Sequence, residues 1–304
     1  MPEDKKLRSV EAAVKHCYST WADNYHRDYY TEKAAYPPVH QDLIRKLLVD
    51  AGVKRVLDAG CGPASMLRGL AGSGFELFGF DLTPEMVQEA RRVMAPLGVL
   101  ENHIWEGSVA DPTAFRAPGR ESAKFDAAIC VGVFPHVPLE LENAALANLH
   151  AAVRPGGLVA VEARNQLFAL FTLNRYSQRF FLNDLVREEE LFEGQDESVR
   201  RQVLDELGQR FRLDLPPVRG GKAGEPGYDE VLSRTHNPLV FREKFAAVGF
   251  RDVRVLFYHY HCLPPLCERL APDLFRRGSL AMESPEDWRG YFMASAFVVT
   301  GIRA

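Results

Sequence analysis

Between residues 53 and 165, continuous apolar runs alternate with amphipathic helical patterns, and few architectures accept that order. "VKRVLDAG" (53–60), "FELFGFD" (75–81), "ENHIWEGS" (101–108), "KFDAAICVGVF" (124–134) and "LVAVEAR" (158–164) read as strands. "SMLRGLAGSG" (65–74), "TPEMVQEARRVMAPLG" (83–98) and "PLELENAALANLHAAV" (138–153) read as the helices between them. The second of these places Thr83 as N-cap, Pro84 at the first helical position and Gly98 past the end. "RPGG" (154–157) reads as a turn. Strands apolar on both faces, joined by helices, predict an α/β fold with a parallel sheet covered on both sides. Ligands of such sheets bind beyond the carboxyl ends of the strands.

Two stretches fall outside this rhythm. Residues 1–52 are helical and rich in aromatics, and residues 166–235 interrupt the alternation with "LFALFTLNRYSQRFFLNDLV", a charged helix around 196–212 and the Pro/Gly-rich "LPPVRGGKAGEPGYD". The α/β pattern then resumes with a helix, "NPLVFREKFAAVGF", capped by Asn237. "RDVRVLFYHYH" and "YFMASAFVVTGIR" follow as two strands joined by a loop of roughly thirty residues, predicted to pair antiparallel at the sheet edge. This divides the chain into an N-terminal helical segment (1–52), a core (53–165), an insertion (166–235) and the end of the core sheet (236–304).

Composition narrows the function. At 304 residues, 46% of them hydrophobic, the chain has room for one large core and an appended region. The net charge is -4 and basic residues are interspersed with acidic ones, as in "RRQVLDELGQR". That lacks the electrostatic footprint of a nucleic-acid partner. Five cysteines are few and odd in number, which fits a reducing cytoplasm. Cys262 and Cys267 lack a second pair, so no zinc or other metal site is expected. The N-terminus has charges and no apolar core, arguing against a signal peptide, and no run reaches the length of a membrane span.

The first strand runs into Asp58 and then Gly60, Gly62 and Ala64. Such a loop can receive a pyrophosphate at a helix N-terminus. A carboxylate directly before the glycines repels phosphates, however, and suits a ligand that carries an ammonium. The second strand delivers Asp81, placed to accept both hydrogen bonds of a ribose diol. Its alternative role, capping the next helix, is already filled by Thr83 and Pro84.

Together "VLDAGCGPAS", "GFDLTPEMVQEARR", "EGSVAD", "KFDAAICVGVFPHVP", "LHAAVRPGGLVAVEARN" and "HNPLVFREKFAAVGF" resemble the class I S-adenosylmethionine-dependent methyltransferases, in that family's order and spacing. The likeness covers most of the chain and is to the small-molecule group that includes ubiquinone and antibiotic methyltransferases. It implies a Rossmann-like sheet of seven strands with the last antiparallel, and S-adenosylmethionine (SAM) as cofactor. By the same resemblance Asp58, Gly60 and Gly62 surround the cofactor's amino-acid part and Asp81 holds the ribose. Leu82 packs on the adenine, and Ser108 and Val109 contact its edge, Val109 through its backbone. Many relatives have an aspartate at the Ser108 position and a third glycine at the Ala64 position.

"YSTWADNYHRDYY" resembles the family's N-terminal segment that folds over the cofactor. Tyr18, Trp21 and Tyr25 share a helical face, with Tyr25 expected to touch the cofactor, Trp21 to pack and Arg27 to reach the carboxylate. "CVGVFPHVP" lacks the signatures of nucleic-acid amino and cytosine C5 methyltransferases and puts Phe134, Pro135 and His136 beside the reacting methyl group. His136 is a candidate base or, alternatively, a residue bonding a helix start.

In "FYHYHC", alternation puts Tyr258 and Tyr260 on one face and His259 and His261 on the other. His259 and His261 are further catalytic candidates, and Tyr258 and His236 candidates for lining the acceptor site. "EARNQLFALFTLNRYSQRFF" places Arg164, Asn165, Asn174, Arg175 and Tyr176 at the start of the insertion, the expected substrate cap. The predicted activity is methyl transfer to a small molecule, with oxygen of a sugar-linked or secondary metabolite first. The alternatives are N- or C-methylation, another SAM-dependent reaction, or a SAM-binding regulatory module.

Overall fold

The computed structural model describes residues 3–31, 36–119, 123–185, 188–211 and 231–304; "LPPVRGGKAGEPGYD" lies outside the described residues. Seven strands form one sheet: β1 (Arg55–Ala59), β2 (Glu76–Asp81), β3 (Ile104–Glu106), β4 (Phe125–Cys130), β5 (Val153–Arg164), β6 (Phe250–Tyr260) and β7 (Ala294–Arg303). Their order is β3-β2-β1-β4-β5-β7-β6. The first five strands are parallel, the last is antiparallel, and the architecture is Rossmann-like. β1 lies between β2 and β4, so chain order reverses at its carboxyl end. That switch point is where a ligand finds a crevice between diverging loops.

Local chemistry accounts for the helices. Three of them, α1 (Glu3–Ser19), α2 (Ala22–Tyr30) and α3 (Val39–Asp50), precede the sheet. Next come α4 (Ser65–Leu70), α5 (Pro84–Met94) and α6 (Glu142–Ala152). On α5 the buried Met86, Val87, Ala90 and Met94 recur at helical spacing and face the sheet. Thr83 and Pro84 occupy the expected start of α5, but the Thr83 side chain accepts nothing from the helix. The Thr83 N–H donates instead to Asp81 Oδ1 at 2.9 Å.

The insertion carries α7 (Ala169–Thr172), α8 (Arg175–Arg179), α9 (Glu188–Leu191) and α10 (Glu197–Arg210), the last being the expected charged helix with Asp196 as its cap. α11 (Pro238–Val248) is capped by Asn237, which accepts from the Leu239 N–H, and ends at Gly249 with φ 106°. α12 (Pro272–Ala281) and α13 (Gly290–Met293) occupy what the sequence suggested was a loop between the last two strands.

Two other boundaries differ. "RPGG" lies within β5, where pairing jumps from Phe125–Val153 to Ala127–Leu158; a bulge absorbs the glycines without ending the strand. β3 keeps only three residues because Glu101–His103 tightens into a 3-10 turn.

Two compact units result: Met1–Arg164 with Arg219–Leu256 and Phe297–Ala304, and Asn165–Val218 with Phe257–Ala296. Within the second, Asn165 Nδ2 donates to the carbonyls of Gly290, Tyr291 and Ala294, closing its first residue onto its last helix. Among the described residues, no helix is long and apolar enough to cross a membrane.

Candidate active site

Gly60, past the end of β1, has φ 85° and its N–H, with that of Cys61, donates to the Phe80 carbonyl of β2. A Cβ on Gly60 would come within 2.3 Å of Val133 Cγ2, whereas one on Gly62 (φ 52°) would meet nothing within 4 Å. The first glycine thus admits the β4 loop and the second leaves open space. Ala64 takes φ 60° at the start of α4, a conformation glycine would adopt at lower cost.

Asp81 ties this loop in place. Its Oδ2 accepts from Gly62 N–H at 2.8 Å and its Oδ1 from Thr83 N–H, with Leu82 N–H and the Thr83 hydroxyl as further donors. The cleft so formed has about 830 Å³ of empty space, open solvent included. Tyr18, Tyr25, Gly60, Gly62, Asp81, Leu82, Ser108, Val109 and His136 all line it. None of the described lining residues is Lys or Arg, which disfavours a phosphate ligand.

Asp58 does not line the cleft. It is buried behind the glycine loop, with Oδ1 lacking any hydrogen-bond partner. Burial and the neighbouring Asp81 push its carboxyl up to about 8. Burial also raises Asp81, against the opposing pull of its N–H donors.

α1 and α2 bring aromatic residues to the cleft. Tyr18 lines it from α1 and Tyr25 from α2, because the expected single helix breaks at Thr20–Trp21; Trp21 packs on Tyr18, Tyr25 and Tyr29 and donates to Asp28. Arg27 pairs with Asp28 and does not line the cleft. α1 also contributes Glu11, whose Oε1 lies 2.5 Å from Ser108 Oγ. A glutamate on an amphipathic helix carries no sequence signal for such a role. Val109 lines the cleft with its carbonyl already accepting from Asn148 Nδ2.

The strongest polar arrangement centres on His136. Nδ1 lies 2.6 Å from the Leu232 carbonyl and Nε2 lies 2.9 Å from the Tyr18 hydroxyl. A carbonyl only accepts, so Nδ1 carries the proton and Nε2 a lone pair, to which Tyr18 donates. Burial pulls the imidazole down to about 4 and drives the Tyr18 phenol up, so both are neutral near pH 7. Phe134 faces the core instead, against His236 and Phe241.

Other candidates stand apart from this cleft's lining. His236 Nε2 lies 2.7 Å from the buried Glu142 Oε1. Arg164 donates to Ser233 Oγ. In the second unit, Asn165 holds the three carbonyls already described, Asn174 caps α8, and the Arg175 guanidinium stacks over the exposed Tyr176 ring. Alternation in β6 is as expected: Tyr258 and Tyr260 are buried, and the His259 and His261 rings stack 5.0 Å apart. Burial holds these two imidazoles down, to about 4 and about 3, and His259 takes a left-handed φ of 60°. Among the described residues, no group of three His, Cys, Asp or Glu side chains is placed to hold a metal.

Residues 56–157 match the family model of a methyltransferase domain. A ubiquinone biosynthesis O-methyltransferase of Xylella fastidiosa (strain M23) is 32% identical over 137 residues, 45% of this chain and 52% of that protein. The namesake from Paraburkholderia phytofirmans is 30% identical over 51% of this chain and 65% of that protein. The chain thus spans about half to two thirds of the curated relatives it matches. A magnesium protoporphyrin IX methyltransferase from Synechocystis PCC 6803, solved with bound SAH, superposes with a TM-score of 0.52 at 18% identity, covering 97% of this chain and 99% of that one. That likeness shows a shared fold. Residues 56–157 are thus similar to a methyltransferase domain, set in a fold shared with a methyltransferase solved with bound SAH. SAM is the cofactor that such a domain implies, and the residues present fit it: an unpartnered buried carboxylate oxygen, an open glycine backbone, a carboxylate in the cleft wall and no lining cation among the described residues.

Proposed function

We propose that this chain methylates a small-molecule acceptor at oxygen, with His136 and Tyr18 removing the acceptor's proton. The observation that carries this reading is the tautomer of His136, whose basic Nε2 is aimed through Tyr18 into the cleft. When bound, the cofactor supplies an electrophilic sulfonium methyl group. Asp81 would hold the ribose, Leu82 the adenine face, Ser108 and Val109 its edge, and Gly60 and Gly62 the backbone of the amino-acid part. From behind the glycine loop Asp58 would answer the ammonium through an intervening water, and Tyr25 would close the cleft from α2.

An acceptor hydroxyl bonded to Tyr18 would pass its proton to that oxygen as the Tyr18 proton moves to His136 Nε2. The acceptor oxygen takes the methyl group, and His136 ends as imidazolium. A base as weak as this one suffices, because the hydroxyl becomes strongly acidic as its oxygen is alkylated. A neutral amine is nucleophilic without losing a proton, so the dyad favours oxygen. The ubiquinone biosynthesis relatives are O-methyltransferases, which supports the same atom. The acceptor class we assign is a sugar-linked or secondary metabolite.

Incubating the protein with SAM and panels of phenols, glycosides and amines, and following S-adenosylhomocysteine formation, tests the assignment. Turnover confined to hydroxyl acceptors is expected; turnover confined to amines would refute it.

The buried carboxyl adds a pH signature. In the ligand-free protein Asp58 titrates at about 8, so it is protonated at pH 6–7. An ammonium beside it favours the anion, so SAM binding at pH 6–7 is expected to release about one proton. Affinity then strengthens by up to about tenfold for each pH unit between 6 and 7. Calorimetry in two buffers of different ionisation enthalpy measures the release, which Asp58→Asn should abolish. Because His136 stays neutral above about pH 4, kcat under saturating cofactor is expected to hold level from pH 8 down to about 5. A drop centred near 6.5 would contradict the buried base.

A further inference from the structure

His136 owes its tautomer to a carbonyl 96 residues away in the chain, in a segment with no regular structure of its own. Leu232 lies where the chain returns towards α11, so something else must hold its carbonyl against the ring. The structure shows what does. Arg234 N–H donates to the Pro135 carbonyl at 2.8 Å, and His236 N–H donates to the Arg164 carbonyl at 2.7 Å. The Arg234 guanidinium reaches the Val137 carbonyl at 2.9 Å, so its main chain and side chain grip the loop on either side of His136.

Behind that grip sits Glu142, the first residue of α6 and 1% exposed. One of its oxygens faces Arg234 at 3.5 Å and His236 Nε2 at 2.7 Å; the other accepts from Lys244. Burial alone would raise this carboxyl, but His236, Lys244 and Arg234 hold it down to about 2. It is therefore an anion throughout the working range. None of Glu142, Arg234, His236 or Lys244 lines the cleft, whose wall ends at Leu141.

We propose that Glu142 and Arg234 are positioning residues for His136: they clamp the Leu232 segment to the 134–138 loop, so that the Leu232 carbonyl fixes the Nδ1–H tautomer and leaves Nε2 basic. The inference rests on the reading of His136 as the base. A neutral imidazole without such an acceptor distributes its proton over both nitrogens, and a molecule with Nε2–H has no lone pair for Tyr18. The clamp thus determines what fraction of molecules is competent. A plain fold-holding salt bridge would change stability and leave that fraction alone.

The test uses Arg234→Met, which keeps the stem and its packing but removes the guanidinium, and Glu142→Gln, which keeps shape and removes the charge. Nitrogen-15 spectra of the histidine rings, with His136 assigned by its loss in His136→Ala, report the tautomer in cofactor-free protein without any turnover. The wild type is expected to show protonated Nδ1 alone. Each variant is expected to show the two tautomers mixed, with kcat lowered in proportion to the Nδ1–H fraction, about twofold to fivefold, and SAM affinity within about twofold of wild type. If Arg234→Met does not fold, Glu142→Gln is read by the same criteria. A folded variant that retains pure Nδ1–H and full kcat overturns the proposal, whatever its melting temperature. A mixed tautomer in the variants together with a fully active His136→Ala would leave the clamp standing and remove the base assignment instead.

Discussion

His136→Ala is expected to lower turnover of an identified acceptor by roughly a hundredfold or more, while SAM affinity stays within about twofold. The reason is geometric. The ring lines the cleft with Nε2 on Tyr18 and Nδ1 on the Leu232 carbonyl, so its removal deletes a proton acceptor and no expected cofactor contact. Single-turnover kinetics with saturating cofactor measure the chemical step directly. Tyr18→Phe keeps the ring packing on Trp21 and Tyr25 but breaks the relay, and should cost a comparable factor. A loss below about threefold in both variants would return the pair to a packing role. His259→Ala and His261→Ala belong in the same series. Both rings lie outside the cleft's lining, so neither is expected to approach the loss at His136.

The second large effect is at Asp81. Its carboxylate accepts from Gly62 N–H and Thr83 N–H and lines the cleft, where a ribose diol would reach it. Asp81→Ala removes the ligand's acceptors and releases the glycine loop together. Losing hydrogen bonds to a charged group costs on the order of 1.5–3 kcal/mol, which corresponds to roughly 10- to 150-fold weaker SAM binding. Asp81→Asn retains one oxygen and should lose less. Titration calorimetry on folded protein separates the cases, and wild-type affinity in the alanine variant would sink the diol assignment. Thermal unfolding of the ligand-free variants shows how much of the loss comes from the loop.

The order of the core strands and helices, the ends of β1 and β2, and hence the places of Asp58 and Asp81 were legible in the amino-acid sequence, whereas β4 stops at Cys130, four residues before the expected end. Each legible feature follows from interactions within a few residues: an apolar run long enough for a buried strand, an Asn237 cap, a glycine where φ turns positive. Boundaries that depend on neighbouring strands were not. "RPGG" reads as a turn, yet it sits in β5 because pairing with β4 continues on both sides of a bulge.

The site divides in the same way. Gly62, Asp81, Leu82 and Ser108 line the cleft, as the family resemblance led one to expect, whereas Asp58 is drawn behind it by burial. That Tyr18 joins Tyr25 in the cleft depends on how α1 packs, and its partner His136 is 118 residues away. Local periodicity shows which residues share a helical face; it carries no information about which distant group that face will meet. The tautomer of His136, set by Leu232, and the burial that lowers its basicity belong to tertiary structure alone, since both arise from chain segments that only folding brings together.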